Sequence, residues 1–149
     1  MSISERNYHL RLQEYCECFL ETDPRDELEA ASKGVSGIPN GDPDELALKF
    51  LGLGIFYGAS EKARKISLSR SKDGKVLFTV EARGKYQLPP PDIDVANRVI
   101  SIARSITHID HDKGEEPVSL GLRNERMDIT FQFNRRDGEE TFAVLFPEL

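Results

Sequence analysis

The stretch KISLSRSKDGKVLFTVEA, residues 65–82, decides the fold. Ile66 and Leu68 alternate with Ser67 and Ser69, Asp73-Gly74 supplies a tight-turn signal, and Val76, Phe78, Val80 and Ala82 return on one face. Successive side chains of a strand point to opposite sides, so this pattern predicts an antiparallel hairpin with one buried face. The device recurs near the other end of the sequence. Val118, Leu120 and Leu122 alternate. Ile129, Phe131 and Phe133 then go up, Asp137-Gly138 turns, and Phe142, Val144 and Phe146 come back.

Between the hairpins, Leu88 is followed by Pro89-Pro90-Pro91, which predicts stiff extended chain outside any central ladder. Asp92 or Asp94 then caps a helix with Val95, Val99, Ile102 and Ile106 as its apolar stripe and Arg98 and Arg104 toward the other side. The segment HIDHDKGEEP, 108–117, reads as a polar connection. The expected core is therefore ββαβββ, an antiparallel sheet of about five strands with one helix packed across it. The class is α+β.

Upstream the period is helical. Tyr8, Leu12, Tyr15 and Phe19 mark an amphipathic helix over about residues 4–21, and Asp23-Pro24 opens a short second helix toward Lys33. GVSGIPNG, 34–41, reads as a loop or hinge. Asp42-Pro43 opens a third helix with Leu46, Phe50, Leu53 and Tyr57 at the same spacing. Gly52, Gly54 and Gly58 leave two readings of it: the helix stops near Gly54, or the glycines admit another element at close range. The organisation is a single domain, 1–149, with 1–41 as a helical, hinge-linked subregion and 42–149 as the α+β core.

Leu, Ile, Val and Phe make up 40 of 149 residues, enough for a core without staples. Residues 1–63 carry 12 acids and 6 bases, residues 64–149 carry 14 of each, and the net charge is −6. That balance argues against generic nucleic-acid binding, which draws on phosphate neutralisation, and against adhesion to anionic membranes. The longest apolar run, about Phe50–Tyr57, is too short to span a bilayer, and MSISERNYHL lacks the apolar region of a signal peptide. Cys16 and Cys18 sit two apart on a helix, a spacing that suits neither a bridge nor a shared metal. The expected compartment is the cytoplasm.

Three signals bear on chemistry. His108, Asp110 and His111 are the metal-competent cluster, with imidazole and carboxylate ligands suited to zinc or another divalent ion. The competing reading is a solvated loop in which histidine complements a helix C-terminus. Residues 64–85 hold seven bases against Asp73 and Glu81, which resembles a phosphate-binding ribbon, although strand edges also carry Lys and Arg to prevent edge-to-edge association. Phe142-Ala143-Val144-Leu145-Phe146 is an uncharged apolar strand that belongs inside the sheet or against a second copy of itself. No catalytic residue or cofactor is assigned. The expectation is a small non-enzymatic protein-binding or adaptor module, with a protein partner or self-association, and a metal-using enzyme or sensor as the alternative.

Overall fold

The computed structural model describes residue 12, residues 43–122 and residues 125–147. The two expected N-terminal helices and the 34–41 hinge lie outside the described residues, save Leu12, which is helical, fully buried and part of the main core. The elements in chain order are α1 (Pro43–Ser60), β1 (Lys65–Arg70), β2 (Val76–Ala82), β3 (Gly84–Leu88), α2 (Ile93–Thr107), β4 (Lys113–Leu122), β5 (Glu125–Arg136) and β6 (Glu139–Leu145). The strands form one antiparallel sheet in the order β3-β2-β1-β6-β5-β4. The class is α+β, as the alternation required.

The inward register is the one the sequence implied. Leu68 pairs with both Phe78 and Phe142, and Phe133 pairs with Phe142, so one face is apolar from β2 across to β5. Phe131 meets Phe142 edge-on with ring centroids 5.0 Å apart, and Phe133 stacks on Phe142 at 5.3 Å. Such aromatic pairs add about 0.5–1.5 kcal/mol beyond the area they bury. The apolar β6 lies at the centre of the sheet between β1 and β5, which satisfies both of its edges.

Two details differ from expectation, and a third decides between readings the sequence left open. First, the sheet has six strands: Gly84–Leu88 pairs with β2, and the three prolines begin only after it. Gly84, with φ of 145°, turns the chain back directly after Arg83. As an edge strand with mostly exposed side chains, GKYQL has no buried face to produce alternation. Second, the polar 108–117 segment is strand from Lys113 onward, because β4 is the opposite edge and its pairing with β5 is carried by backbone. Third, α1 continues unbroken to Ser60. Gly54 and Gly58 are packing positions: a Cβ on Gly54 would touch Ile66 Cδ1 at 3.4 Å and Phe78 Cζ at 3.5 Å, whereas one on Gly58 would lie 2.4 Å from Phe146 Cζ.

The second helix spans the sheet at one end. Asp92 caps it, Oδ1 accepting from the Val95 N–H at 2.9 Å. Ile93 then approaches Gly74 in the first turn, Asn97 Oδ1 accepts from Arg70 of β1 at 2.6 Å, and Arg104 reaches Glu140 of β6. Fifteen helical residues span about 22 Å, close to the roughly 24 Å between outer strands of a six-stranded sheet. A single helix thus carries the chain from edge β3 to edge β4.

Candidate functional site

The exit of α2 carries the metal-competent residues. His108 is its C-cap in the left-handed conformation (φ 59°, ψ 30°), and its backbone N–H bonds to the Arg104 carbonyl. Ile109 turns inward and is buried. Asp110 and His111 stand in solvent, with Nδ1 3.8 Å from Oδ1. Asp110 and His111 are thus brought together as a pair, and His108 and Asp110 both line a polar groove with Arg70, Asn97, Ser101 and Arg135. Among the described residues, no three His, Cys, Asp or Glu side chains gather closely enough to hold a metal ion.

The residue that organises this groove is Arg104, which helical spacing assigned to the outer side. Its side chain is only 12% exposed. Nε donates to Glu140 Oε2 at 2.7 Å, and Nη1 donates to the carbonyls of Ile109 at 3.1 Å and His111 at 2.8 Å. The guanidinium also lies 4.8 Å from the centroid of Phe133, and the buried Nη2 has no hydrogen-bond partner among the described residues. Arg70 adds a second cation 3.9 Å from Glu140. Arg135 binds Asp112 Oδ1 at 3.0 Å and the Asp110 carbonyl at 3.2 Å. These arginines therefore fasten the turn after α2 to the ends of β1, β5 and β6. The signal that would have found Arg104 is Glu140: it shares the inward parity of Phe142 and Val144, and a carboxylate buried there requires a cation.

The seven bases of 64–85 do not form one ribbon. Arg70, Lys72 and Lys75 gather around the first hairpin turn, while Arg64, Lys65, Arg83 and Lys85 lie at the opposite end of the sheet, where α1 finishes. Phe78 is buried against Phe50 with centroids 5.3 Å apart, and the Tyr86 hydroxyl lies 2.7 Å from that of Tyr57. At the α1 end, Met127, Leu145, Phe146 and Pro147 line a largely apolar cleft with Lys62 and Arg64 on its rim. The Phe146 N–H bonds to the Arg64 carbonyl at 2.9 Å, which fixes the last strand against the helix exit.

The sheet face turned away from α1 and α2 has a different chemistry. Its central row, from β2 to β5, is Thr79, Ser67, Ala143 and Gln132. Ala143 is only 2% exposed, and the other three are half-buried. Charges on this face stand toward its margins, at Lys65, Glu81, Lys113, Glu115 and Asp128. The Ser119 hydroxyl, 2.7 Å from Asp128 Oδ1, holds the Asp128 carboxyl below the usual carboxylate range, and neighbouring Arg126 acts in the same direction. Compared with known proteins, the chain matches no family model and no curated protein.

Proposed function

We propose that this chain is a non-enzymatic protein-binding or adaptor module, and that it meets its partner, or a second copy of itself, through the sheet face that α1 and α2 leave free. The observation that carries this reading is the distribution of charge on that face. Thr79, Ser67, Ala143 and Gln132 form an uncharged centre, and the charged residues lie around it. Protein interfaces share this anatomy, with charge depleted at the core and polar residues at the rim. The edges are less suited to strand addition. Edge strand β4 carries Pro117 and the carboxylates Glu115 and Glu116, while β3 is short and runs into three prolines.

The test introduces a charge pair at the centre, Ser67→Arg with Gln132→Arg. Light scattering after size exclusion reads self-association, and affinity capture with wild-type and variant bait reads other partners. The expected result is an assembly or a captured protein that is lost with the variant. A wild-type monomer whose captured proteins are the same for both baits refutes the reading.

A further inference from the structure

We propose that the cleft at the end of α1 is a docking site for an acidic peptide segment of a partner protein that carries an aliphatic or aromatic anchor. The proposal rests on the protein-binding reading and assigns it a second surface with a defined ligand chemistry. The cleft floor is apolar: Met127, Leu145 and Phe146 are half-buried, and Pro147 is exposed. Phe146 keeps its place because Gly58 has no side chain; a Cβ there would approach within 2.4 Å of Cζ and 2.6 Å of Cε2. The cleft wall thus depends on a glycine that is a poorer helix former than alanine.

The surroundings set the sign of the ligand. Lys62 and Arg64 rim the cleft, and Lys62 also lines an adjoining recess with Arg83 and Tyr86. Lys85 follows on the same end of β3. Lys62, Arg64, Arg83 and Lys85 are all exposed, and among the described residues none of them forms an ion pair. Against these four cations stand Glu61, Glu81, which lies opposite Lys85 in the β2–β3 ladder and 3.9 Å from Lys65, and the negative end of α1, equivalent to about half an elementary charge. Among the described residues, cations outnumber carboxylates at this end of the sheet, on a chain whose net charge is −6. An apolar floor with a cationic rim complements a segment that presents carboxylates on either side of one large apolar side chain. A single-stranded nucleic acid fits less well. It needs exposed ring faces for stacking; among the described residues, the aromatic ring lining the cleft, Phe146, lies against Gly58, and Tyr86 in the adjoining recess is tied through its hydroxyl to Tyr57.

The experiment uses the full chain and a fluorescein-labelled peptide with a central Leu-Phe pair flanked by glutamates, read by anisotropy. Binding is expected to weaken about tenfold in the Lys62→Glu/Arg64→Glu variant, as two charge reversals worth about 0.7 kcal/mol each require. It should also weaken when Leu-Phe is replaced by Ser-Ser, and it should fall with salt as screening shortens to about 3 Å at 1 M. An Arg83→Glu/Lys85→Glu variant tests the same field without touching the cleft rim and should weaken binding by a smaller factor. No binding to wild type, binding unchanged by either reversal, or tighter binding of a thymidine oligonucleotide overturns the proposal. The Ser67→Arg/Gln132→Arg variant separates the two readings. Peptide binding that survives it while the assembly or partner is lost supports both, and loss of partner with no peptide binding in wild type sinks the cleft alone.

Discussion

Alanine at Gly54 and at Gly58 should change stability in opposite directions, although both sites lie on the same helix. Each substitution recovers about 1 kcal/mol of helix propensity. At Gly54 the added carbon would sit 3.4 Å from Ile66 Cδ1 and 3.5 Å from Phe78 Cζ, ordinary contact distances, so most of that gain should be retained. At Gly58 it would sit 2.4 Å from Phe146 Cζ and 2.6 Å from Cε2, so the ring must retreat by about 1 Å to reach the usual 3.5–4.0 Å carbon separation. Forced repacking of that kind typically costs about 1–3 kcal/mol. Phe146 is half-buried and can yield toward solvent, which favours the lower part of that range. The net expectation is a gain of about 1 kcal/mol for Gly54→Ala and a loss of about 0–1 kcal/mol for Gly58→Ala. Urea unfolding followed by circular dichroism resolves the difference, which should also appear as a Tm gap of about 3–8 °C for a domain of this size. Pairing Gly58→Ala with Phe146→Leu should remove most of the loss, because the clashing ring carbons are gone. Equal stabilisation by the two single substitutions would refute the packing argument for the helix.

Arg104→Ala should destabilise the protein by about 3 kcal/mol, since it strands a buried Glu140 and releases the Ile109 and His111 carbonyls. A urea midpoint within error of wild type would show that the clamp contributes nothing. Asp128 should titrate below the ordinary aspartate value by NMR, and Ser119→Ala should move it back up. The sign follows from linkage: a depressed folded-state pKa stabilises above the unfolded value, and that contribution disappears as pH falls through the folded pKa. Ser119→Ala should therefore flatten the acid limb of the stability curve slightly, and an unshifted Asp128 resonance would count against it.

Where a segment buries one face, its structure is legible in its residues. Ile66, Leu68, Phe78 and Val80 had to share a side because burial imposes the period of two, and Phe142 with Val144 followed by the same logic. Where backbone pairing does the work, the residues say little. Gly84–Leu88 and Lys113–Pro117 are edge-strand positions that are mostly exposed, so their ladders were invisible to hydrophobic alternation. Helical spacing also misplaced Arg104, because it measures angle around an axis and not what stands opposite. The candidate metal residues were visible as neighbours in sequence, yet Ile109 turns inward between them and the left-handed turn at His108 directs it toward the groove. The cleft depends on Gly58, whose meaning emerges only when Phe146 arrives from 88 positions away.

The strand order 3-2-1-6-5-4 places two local three-stranded meanders side by side, and only β1 and β6 join them. Within each meander, partners are separated by short turns, whereas Arg70 and Glu140 close a loop of about 70 residues. On chain entropy alone, that closure costs about 2.5 kcal/mol more than closing a four-residue turn. The middle of the sheet is therefore the last part of the ladder to assemble, a seam sealed after both halves exist and α2 has begun to bring them together. Low φ-values at Leu68 and Phe142 relative to those within each meander would register that order, and high ones would contradict it. Late closure also means that each half-sheet passes through a stage with an open apolar edge, Ile66 and Leu68 on one side and Phe142 and Val144 on the other. During synthesis, the first meander must wait with that edge unpaired until the rest of the chain has been made.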